Sequence, residues 1–137
     1  MDLEFVRIIN IPSHEDERGV LSSIEQNIDV PFDIKRIFYI YNIKAIRGSH
    51  ALKDTNELLI AVAGSFVVSV TDKNNTKNYL LSKPSEALFV PSLIFMEITQ
   101  FSKDAVCLVL ADRNHDLKQY LKTKEEYYQY IENIKLK

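Results

Sequence analysis

Residues 47–64 read RGSHALKDTNELLIAVAG, and this segment says more about the fold than any other part of the chain. The apolar run Leu58–Ala63 ends at a glycine and indicates a buried β-strand. A polar turn separates this strand from an earlier one, which carries His50 and follows an Arg-Gly corner. The segment therefore places His50 and Glu57 on two strands that flank one turn.

His50 is the candidate for chemistry in this segment. In a closed barrel, alternate residues of a strand point inward, so we expect His50 and Leu52 to share the inner face and Lys53 to point away. An imidazole at the mouth of a small barrel can act as a general base, because histidine exchanges protons near neutral pH. The alternative is a structural histidine that a neighbouring group satisfies. The residues alone leave both interpretations open.

Most of the remaining chain consists of short runs rich in Val, Ile, Phe and Tyr, which indicate β-strands. Turn-forming residues such as those at 16–19, 47–49, 64–65 and 72–75 separate these runs. Many short strands at near-even spacing predict an all-β sandwich, barrel or jelly roll, and no β-α-β alternation supports a Rossmann-type fold. The predicted strands are Phe5–Ile9, Ile37–Tyr41, Leu58–Ala63, Phe66–Val70, Ala87–Val90 and Ala105–Ala111.

The C-terminal segment has a different pattern. Thr123 and Glu126 have the spacing of a capping box, which marks the start of a helix. Tyr127, Tyr130, Ile131 and Ile134 then follow at the spacing of an amphipathic helix. We expect a short α-helix whose apolar side packs against the sheet or against a partner subunit, although a tyrosine face could also serve recognition.

Length and composition are those of an ordinary globular protein. The chain has 137 residues, of which 46% are hydrophobic and 26% charged, and no linker or repeat divides it, so we expect one domain over residues 1–137. The formal net charge of −2 gives no overall attraction to nucleic acid or to an anionic membrane. No signal-peptide core or membrane-spanning run is apparent, which predicts a cytoplasmic protein. The lone Cys107 lies in an apolar run and is predicted to be a buried thiol.

The spacing of His50, Glu57 and Gly64 matches the first cupin motif, HxH-x4-E-x6-G, with Leu52 at the second histidine position. The wider sequence resembles the WxcM-like small cupins, the sugar nucleotide 3,4-ketoisomerase family that acts on dTDP-4-keto-6-deoxyglucose. Four segments carry the resemblance, in order and through nearly the whole chain: residues 16–19 with Glu25, residues 31–40, residues 47–53 and residues 101–111.

The resemblance implies a cupin-type jelly-roll β-barrel, a homodimer and a thymidine-diphosphate sugar bound in the barrel. It also implies an isomerase of deoxysugar biosynthesis, which moves the ketone of a dTDP-4-keto-6-deoxyhexose from C4 to C3. This reaction needs neither a metal nor a redox cofactor, because a base removes the proton beside the ketone and the resulting enediol regains a proton at the other carbon. We expect His50 to carry the proton, with Tyr39 nearby.

Three positions depart from the family pattern. Leu52 stands where the family has a second histidine, Phe38 replaces one member of a tyrosine pair, and the segment after Pro91 lacks the usual tryptophan and histidine. Either His50 handles both proton transfers alone, or the pocket no longer catalyses this reaction. The alternatives are a catalytically silent cupin that binds a nucleotide sugar and a 3,5-epimerase-like activity.

Arginines beside glycines are the candidates for phosphate binding, because the planar guanidinium donates two parallel hydrogen bonds. Arg18 and Arg47 have this setting, and Arg36 enters a predicted strand. The alternative for each is a solvated charge or a structural ion pair. We also assign Glu57 and Lys53 to substrate binding. His50 and Glu57 are too few to ligate a transition metal, so we expect no metal site, and we expect His14 and His115 to lie on the surface.

Overall fold

The computed structural model describes residues 2–135, and two facing antiparallel β-sheets of five strands each form the body of the fold. The first sheet has the strand order β1-β9-β6-β11-β4, the second has the order β12-β5-β10-β7-β8, and β2 and β3 form a separate hairpin. The strands are β1 (Arg7–Asn10), β2 (Ser13–Asp16), β3 (Gly19–Ser22), β4 (Arg36–Ile40), β5 (Arg47–Leu52), β6 (Glu57–Ala63), β7 (Phe66–Thr71), β8 (Thr76–Leu81), β9 (Glu86–Val90), β10 (Phe95–Thr99), β11 (Val106–Ala111) and β12 (Tyr120–Leu121).

The all-β jelly-roll class is confirmed, with one difference from the expected closed barrel. The two five-stranded sheets do not join into a continuous barrel and instead form a jelly-roll-like sandwich. Their inner faces share a core of fully buried aliphatic and aromatic side chains, among them Leu59, Phe66 and Val68. Cys107 lies in this core and is completely buried, which confirms the prediction for the thiol.

One predicted turn lies within a strand. Residues 47–49 begin β5, where Gly48 has a φ of +64°. Against β10, His50 pairs with Met96 and Arg47 pairs with Ile98, so three steps along β5 match two along β10. This extra residue is a β-bulge, which glycine favours because it adopts positive φ at little cost. The turn-like composition of this segment therefore reflects the bulge.

The C-terminal helix α1 (Lys124–Lys135) is confirmed. The backbone N–H of Glu126 donates to the Thr123 hydroxyl at 3.1 Å, and the Glu126 carboxylate accepts a hydrogen bond from the Lys122 N–H. Tyr127 and Ile131 are buried, and the Tyr127 hydroxyl donates to the Leu93 carbonyl at 2.8 Å. The predicted apolar side thus packs on the second sheet. Within residues 2–135, neither α1 nor the short 3-10 turns could span a membrane.

The ends of the predicted elements also shifted. The strand expected at Phe5–Ile9 begins at Arg7, because Leu3–Phe5 form a 3-10 turn that Asp2 caps. Strands β8 and β10 are absent from the sequence-based prediction. The first and last two residues of the expected domain, 1 and 136–137, lie outside the described residues.

Candidate active site

A cavity of about 470 Å³ opens between the two sheets. Strands β4, β6 and β11 of the first sheet form one wall, and β5, β10 and β12 of the second form the other. Its size is that of a small-molecule site. The lining combines an apolar floor with six polar or charged side chains, and these are Arg36, Arg47, His50, Glu57, His115 and Tyr120.

His50 lines this cavity as predicted, and its imidazole and the Tyr120 ring form a T-shaped pair with centroids 5.0 Å apart. Its Nε2 atom is buried and has no hydrogen-bond partner among the described residues. Burial lowers the pKa of His50 to about 4, so the imidazole is neutral near pH 7 and can accept a proton. A structural histidine satisfied by its neighbours would not leave Nε2 unpaired, so the geometry favours the chemical role.

Glu57 faces the same cavity from the start of β6 and is only 3% exposed. Burial raises the pKa of this carboxyl to about 7, Arg36 opposes the rise, and the charge of Asp112 adds to it. No ion pair within residues 2–135 involves Glu57. The carboxyl therefore holds a proton for part of the time at neutral pH.

The burial of Glu57 predicts a pH-dependent stability difference for Glu57→Gln. The unfolded carboxyl loses its proton near pH 4.5, whereas the folded one keeps it until about pH 7. The native protein therefore loses stability as the pH rises between these values, and glutamine does not. We expect Glu57→Gln to be more stable than the unaltered protein at pH 8 by about 3 kcal/mol and similar to it at pH 4.5, measured by urea unfolding. Equal stabilities at pH 8 would contradict this prediction.

Two of the three predicted phosphate-binding arginines border the cavity. Arg36 lines it with its guanidinium over the Phe38 ring, 4.3 Å from Cζ to the ring centroid. Arg47 is exposed at its edge, beside the bulged Gly48. Both guanidinium groups can approach an anion that enters from solvent.

Tyr39 does not lie near His50, and this prediction is wrong in its geometry. Side chains alternate along β4, so Arg36 and Phe38 face the cavity while Tyr39 faces outward. The Tyr39 side chain is 63% exposed and stacks on Tyr41 with ring centroids 5.9 Å apart. The inward position of this pair is therefore Phe38, which has no hydroxyl.

Lys53 and Arg18 do not line this cavity, and their assignment to substrate binding stays a prediction from the sequence. The Lys53 ammonium lies 5.2 Å from the centre of the Tyr130 ring on α1, as its outward position in the alternation requires. Arg18 sits on the β2–β3 hairpin and pairs with Asp16 at 2.6 Å. A structural ion pair of this kind was the alternative to phosphate binding that the sequence analysis gave for each arginine.

Leu52 is buried and borders a small recess next to the main cavity. The recess also includes Glu57, His115 and Tyr120, so Leu52 shares the inner side of β5 with His50 but lies deeper. Met96, after Pro91, lines the main cavity with an apolar side chain. The departures from the family pattern therefore cluster around this site.

His115 and Tyr120 are the polar lining residues that sequence reasoning missed. His115 belongs to the connection between β11 and β12 and Tyr120 begins β12, with the two ring centroids 5.7 Å apart. His115 is exposed, as predicted, but its surface borders the cavity. The connection is held to the start of β6 where Asp112 accepts hydrogen bonds from Asn56 at 2.8 Å. No local pattern in the sequence indicates that residues 112–120 return to the cavity.

His14 is exposed on the β2–β3 hairpin, as expected.

The next question is whether side chains that commonly ligate metals lie together. Within residues 2–135, no group of three or more His, Cys, Asp or Glu side chains is arranged to hold a metal ion.

Comparison with known proteins places this site in context. Residues 4–132 match the family model described as FdtA: WxcM-like, C-terminal. The TDP-4-oxo-6-deoxy-alpha-D-glucose-3,4-oxoisomerase of Aneurinibacillus thermoaerophilus is 35% identical over 132 residues, which is 95% of each chain.

Two solved structures are similar throughout. A 3,4-ketoisomerase from Helicobacter canadensis has a TM-score of 0.91 and 33% identity, covering 93% of this chain and 98% of that one. QdtA, a sugar 3,4-ketoisomerase from Thermoanaerobacterium thermosaccharolyticum in complex with TDP, has a TM-score of 0.92 and 31% identity, covering 96% and 98%. The likeness extends over nearly the whole chain, and the chain belongs to the FdtA, WxcM-like C-terminal family.

Proposed function

We propose that this protein is a nucleotide-sugar 3,4-ketoisomerase, which moves the ketone of a TDP-linked 4-keto-6-deoxyhexose from C4 to C3. The observation that carries the proposal is His50, whose unpaired Nε2 lies in the inter-sheet cavity of a chain 31–35% identical to proteins of that activity. A polar sugar ring can enter the cavity beside His50. Its volume of about 470 Å³ suits part of a nucleotide sugar, with the remainder at the open side.

Arg47 and Arg36 are the proposed contacts for the diphosphate. Arg47 lies exposed at the cavity edge and can meet the anion first, while Arg36 lies further in and next to Phe38. Guanidinium groups bind phosphate in a bidentate manner and remain charged at any pH of interest. Glu57 is assigned to the sugar end, because its buried carboxyl can hydrogen-bond to a hydroxyl or carbonyl oxygen there.

His50 is the proposed base. Its neutral imidazole removes the C3 proton, which is acidic because the C4 ketone stabilises the charge left behind. The electron pair of the C3–H bond forms a C3–C4 double bond, and the enediol then regains a proton at C4 as the C3 ketone forms. Nearby donors stabilise the oxygen on which negative charge develops.

A binding protein without catalysis is the second candidate function. Leu52, Phe38 and Met96 place apolar side chains around the site, which specifically favours this alternative. The Leu52→His variant separates the two, since a large gain in activity would indicate a weakened enzyme.

Proton NMR in deuterated buffer with TDP-4-keto-6-deoxyglucose tests the proposed function. We expect a 3-keto product, with deuterium at C4 in those turnovers in which the proton on His50 exchanges with solvent before it is returned. Saturation transfer to the ligand without exchange or product would instead identify a binding protein. Absence of any interaction would contradict the substrate class. A cytoplasmic location stays a prediction from the sequence.

We further propose a homodimer that uses the outer face of edge strand β4. Ile37 and Tyr39 lie there, and Tyr41 follows directly after the strand; more than half of each of the three residues is exposed. Neighbouring exposed apolar side chains of this kind are typical of a protein interface. The edge strand also offers unpaired backbone groups to a second copy.

The variant Tyr39→Lys is expected to convert the dimer to a monomer at micromolar concentration, because burying an unpaired ammonium in the interface is costly. Light scattering coupled to size exclusion measures the mass. Leu80→Lys is the matched control, since Leu80 is 64% exposed on β8 at the edge of the other sheet. A monomeric unaltered protein, or a Tyr39→Lys dimer, would contradict the proposed interface.

A further inference from the structure

We propose that Glu57 is a second catalytic residue, which gives a proton to the ketone oxygen and later recovers one from the neighbouring hydroxyl. This inference rests on the proposed ketoisomerase function and adds to it, because it assigns the oxygen-bound protons to a group other than His50.

Glu57 and His50 face the cavity from opposite walls. His50 belongs to β5 in the second sheet, and Glu57 begins β6 in the first sheet. Both line the one cavity. A sugar ring between the sheets can therefore present a C–H bond to one residue and an oxygen to the other at the same time.

Among residues 2–135, no ion pair compensates the burial of the Glu57 carboxyl. Glu57 is 3% exposed, and the charge of Arg36 opposes the rise of its pKa without an ion pair between the two side chains. Burying an unpaired carboxyl is costly, and such groups are concentrated at functional sites. A carboxyl kept protonated by burial can donate to a carbonyl oxygen.

Three other cavity residues, His50, Arg36 and Arg47, do not fill this role as well. Burial lowers the pKa of His50, so its imidazole is neutral and lacks the proton that an acid must give. A guanidinium group can bind an oxygen but does not transfer a proton to it at neutral pH, which excludes Arg36 and Arg47 from this role. Glu57 is the buried carboxyl on the cavity wall, and its pKa lies close to the working pH.

The proton transfers balance over one turnover. His50 takes the C3 proton, the C3–H electron pair becomes the C3–C4 double bond, and the C4 carbonyl electrons move to O4, which receives the Glu57 proton. The Glu57 carboxylate then takes the proton of the O3 hydroxyl, the C3 ketone forms, and the double-bond electrons take the proton from His50 at C4. Both residues return to their starting states, and the product is an isomer of the substrate.

The test compares Glu57→Asp with Glu57→Gln. Glutamine keeps the shape and the hydrogen-bond donor but cannot transfer a proton, whereas aspartate keeps the carboxyl one carbon further back. We expect kcat to fall about 100-fold in Glu57→Gln, with KM within twofold and TDP binding unchanged, and to fall less in Glu57→Asp. Thermal unfolding of each variant verifies that it is folded.

Glu97→Gln is the matched control, because Glu97 lies on β10 but is not part of the cavity lining, and we expect its kcat to be unchanged. Full activity of Glu57→Gln, or a higher kcat for glutamine than for aspartate, would overturn the inference and leave the proposed function intact. No turnover by the unaltered protein would instead contradict the proposed function, and this inference with it.

Discussion

His50→Asn is expected to lower the turnover of TDP-4-keto-6-deoxyglucose by about 1000-fold, within the range for loss of a general base. Asparagine is close to imidazole in size and keeps a hydrogen-bonding side chain, but it cannot accept the C3 proton. The side chain lies in the cavity wall and its Nε2 atom has no hydrogen-bond partner among the described residues, so replacing it leaves no other group without its Nε2 hydrogen bond. We therefore expect TDP affinity to stay within about threefold by calorimetry, while the NMR assay reports the lost activity.

His14→Asn is the control for this experiment. His14 is exposed on the β2–β3 hairpin and does not border the cavity, so the same substitution there should leave turnover unaltered. Equal turnover of His50→Asn and the unaltered protein would show that another group takes the proton. A parallel loss of TDP binding would indicate a structural role for His50.

Gly64→Ala is expected to destabilise the fold by about 3 kcal/mol or more. Gly64 has a φ of +64° in the turn between β6 and β7, where an L-residue is strained. A Cβ there would also lie 2.8 Å from the Ala105 Cα and 2.7 Å from an Asp104 carboxylate oxygen, and would contact the Ser102 hydroxyl. Because the close atoms include backbone, relief requires a shift of the chain. Urea unfolding at fixed pH measures the loss.

Gly48→Ala separates strain from crowding. Gly48 has the same φ of +64° as Gly64, but the nearest atoms to a Cβ there belong to the Ile98 side chain, at 3.3 Å, and not to the backbone. We therefore expect a smaller loss for Gly48→Ala than for Gly64→Ala. Similar losses at both positions would show that backbone conformation alone explains the glycine requirement.

Much of the fold could be predicted because burial leaves a local mark on the sequence. Fully apolar runs such as those of β6 and β11 are buried along most of their length, and their composition revealed them. Strand β8 is an exposed edge with polar residues, so its sequence resembles a loop. The bulge at Gly48 carries the composition of a turn, since both need positive φ.

The site was harder to predict because it depends on side-chain direction and on contacts between distant segments. His50 and Glu57 were found because the cupin motif fixes their spacing, and alternation along β5 correctly turned Lys53 outward. The same alternation was not applied to β4, where it would have placed Phe38 in the cavity and Tyr39 on the outer face. His115 and Tyr120 reach the cavity through the pairing of β12 with β5, which links residues about 70 positions apart and leaves no local pattern.

Because Cys107 is buried in the core, the rate at which its thiol is labelled measures how often the core opens. This thiol is the only one in the chain, it is fully enclosed, and burial raises its pKa to about 12, so a thiol reagent finds no thiolate in the native protein. Modification must therefore wait for molecules whose sheets have separated. Its rate then measures how often the sandwich opens under native conditions, without denaturant and at any substrate concentration. A ligand that fills the cavity should lower the rate of Cys107 labelling, and the rate should fall as the fraction of protein with bound ligand rises.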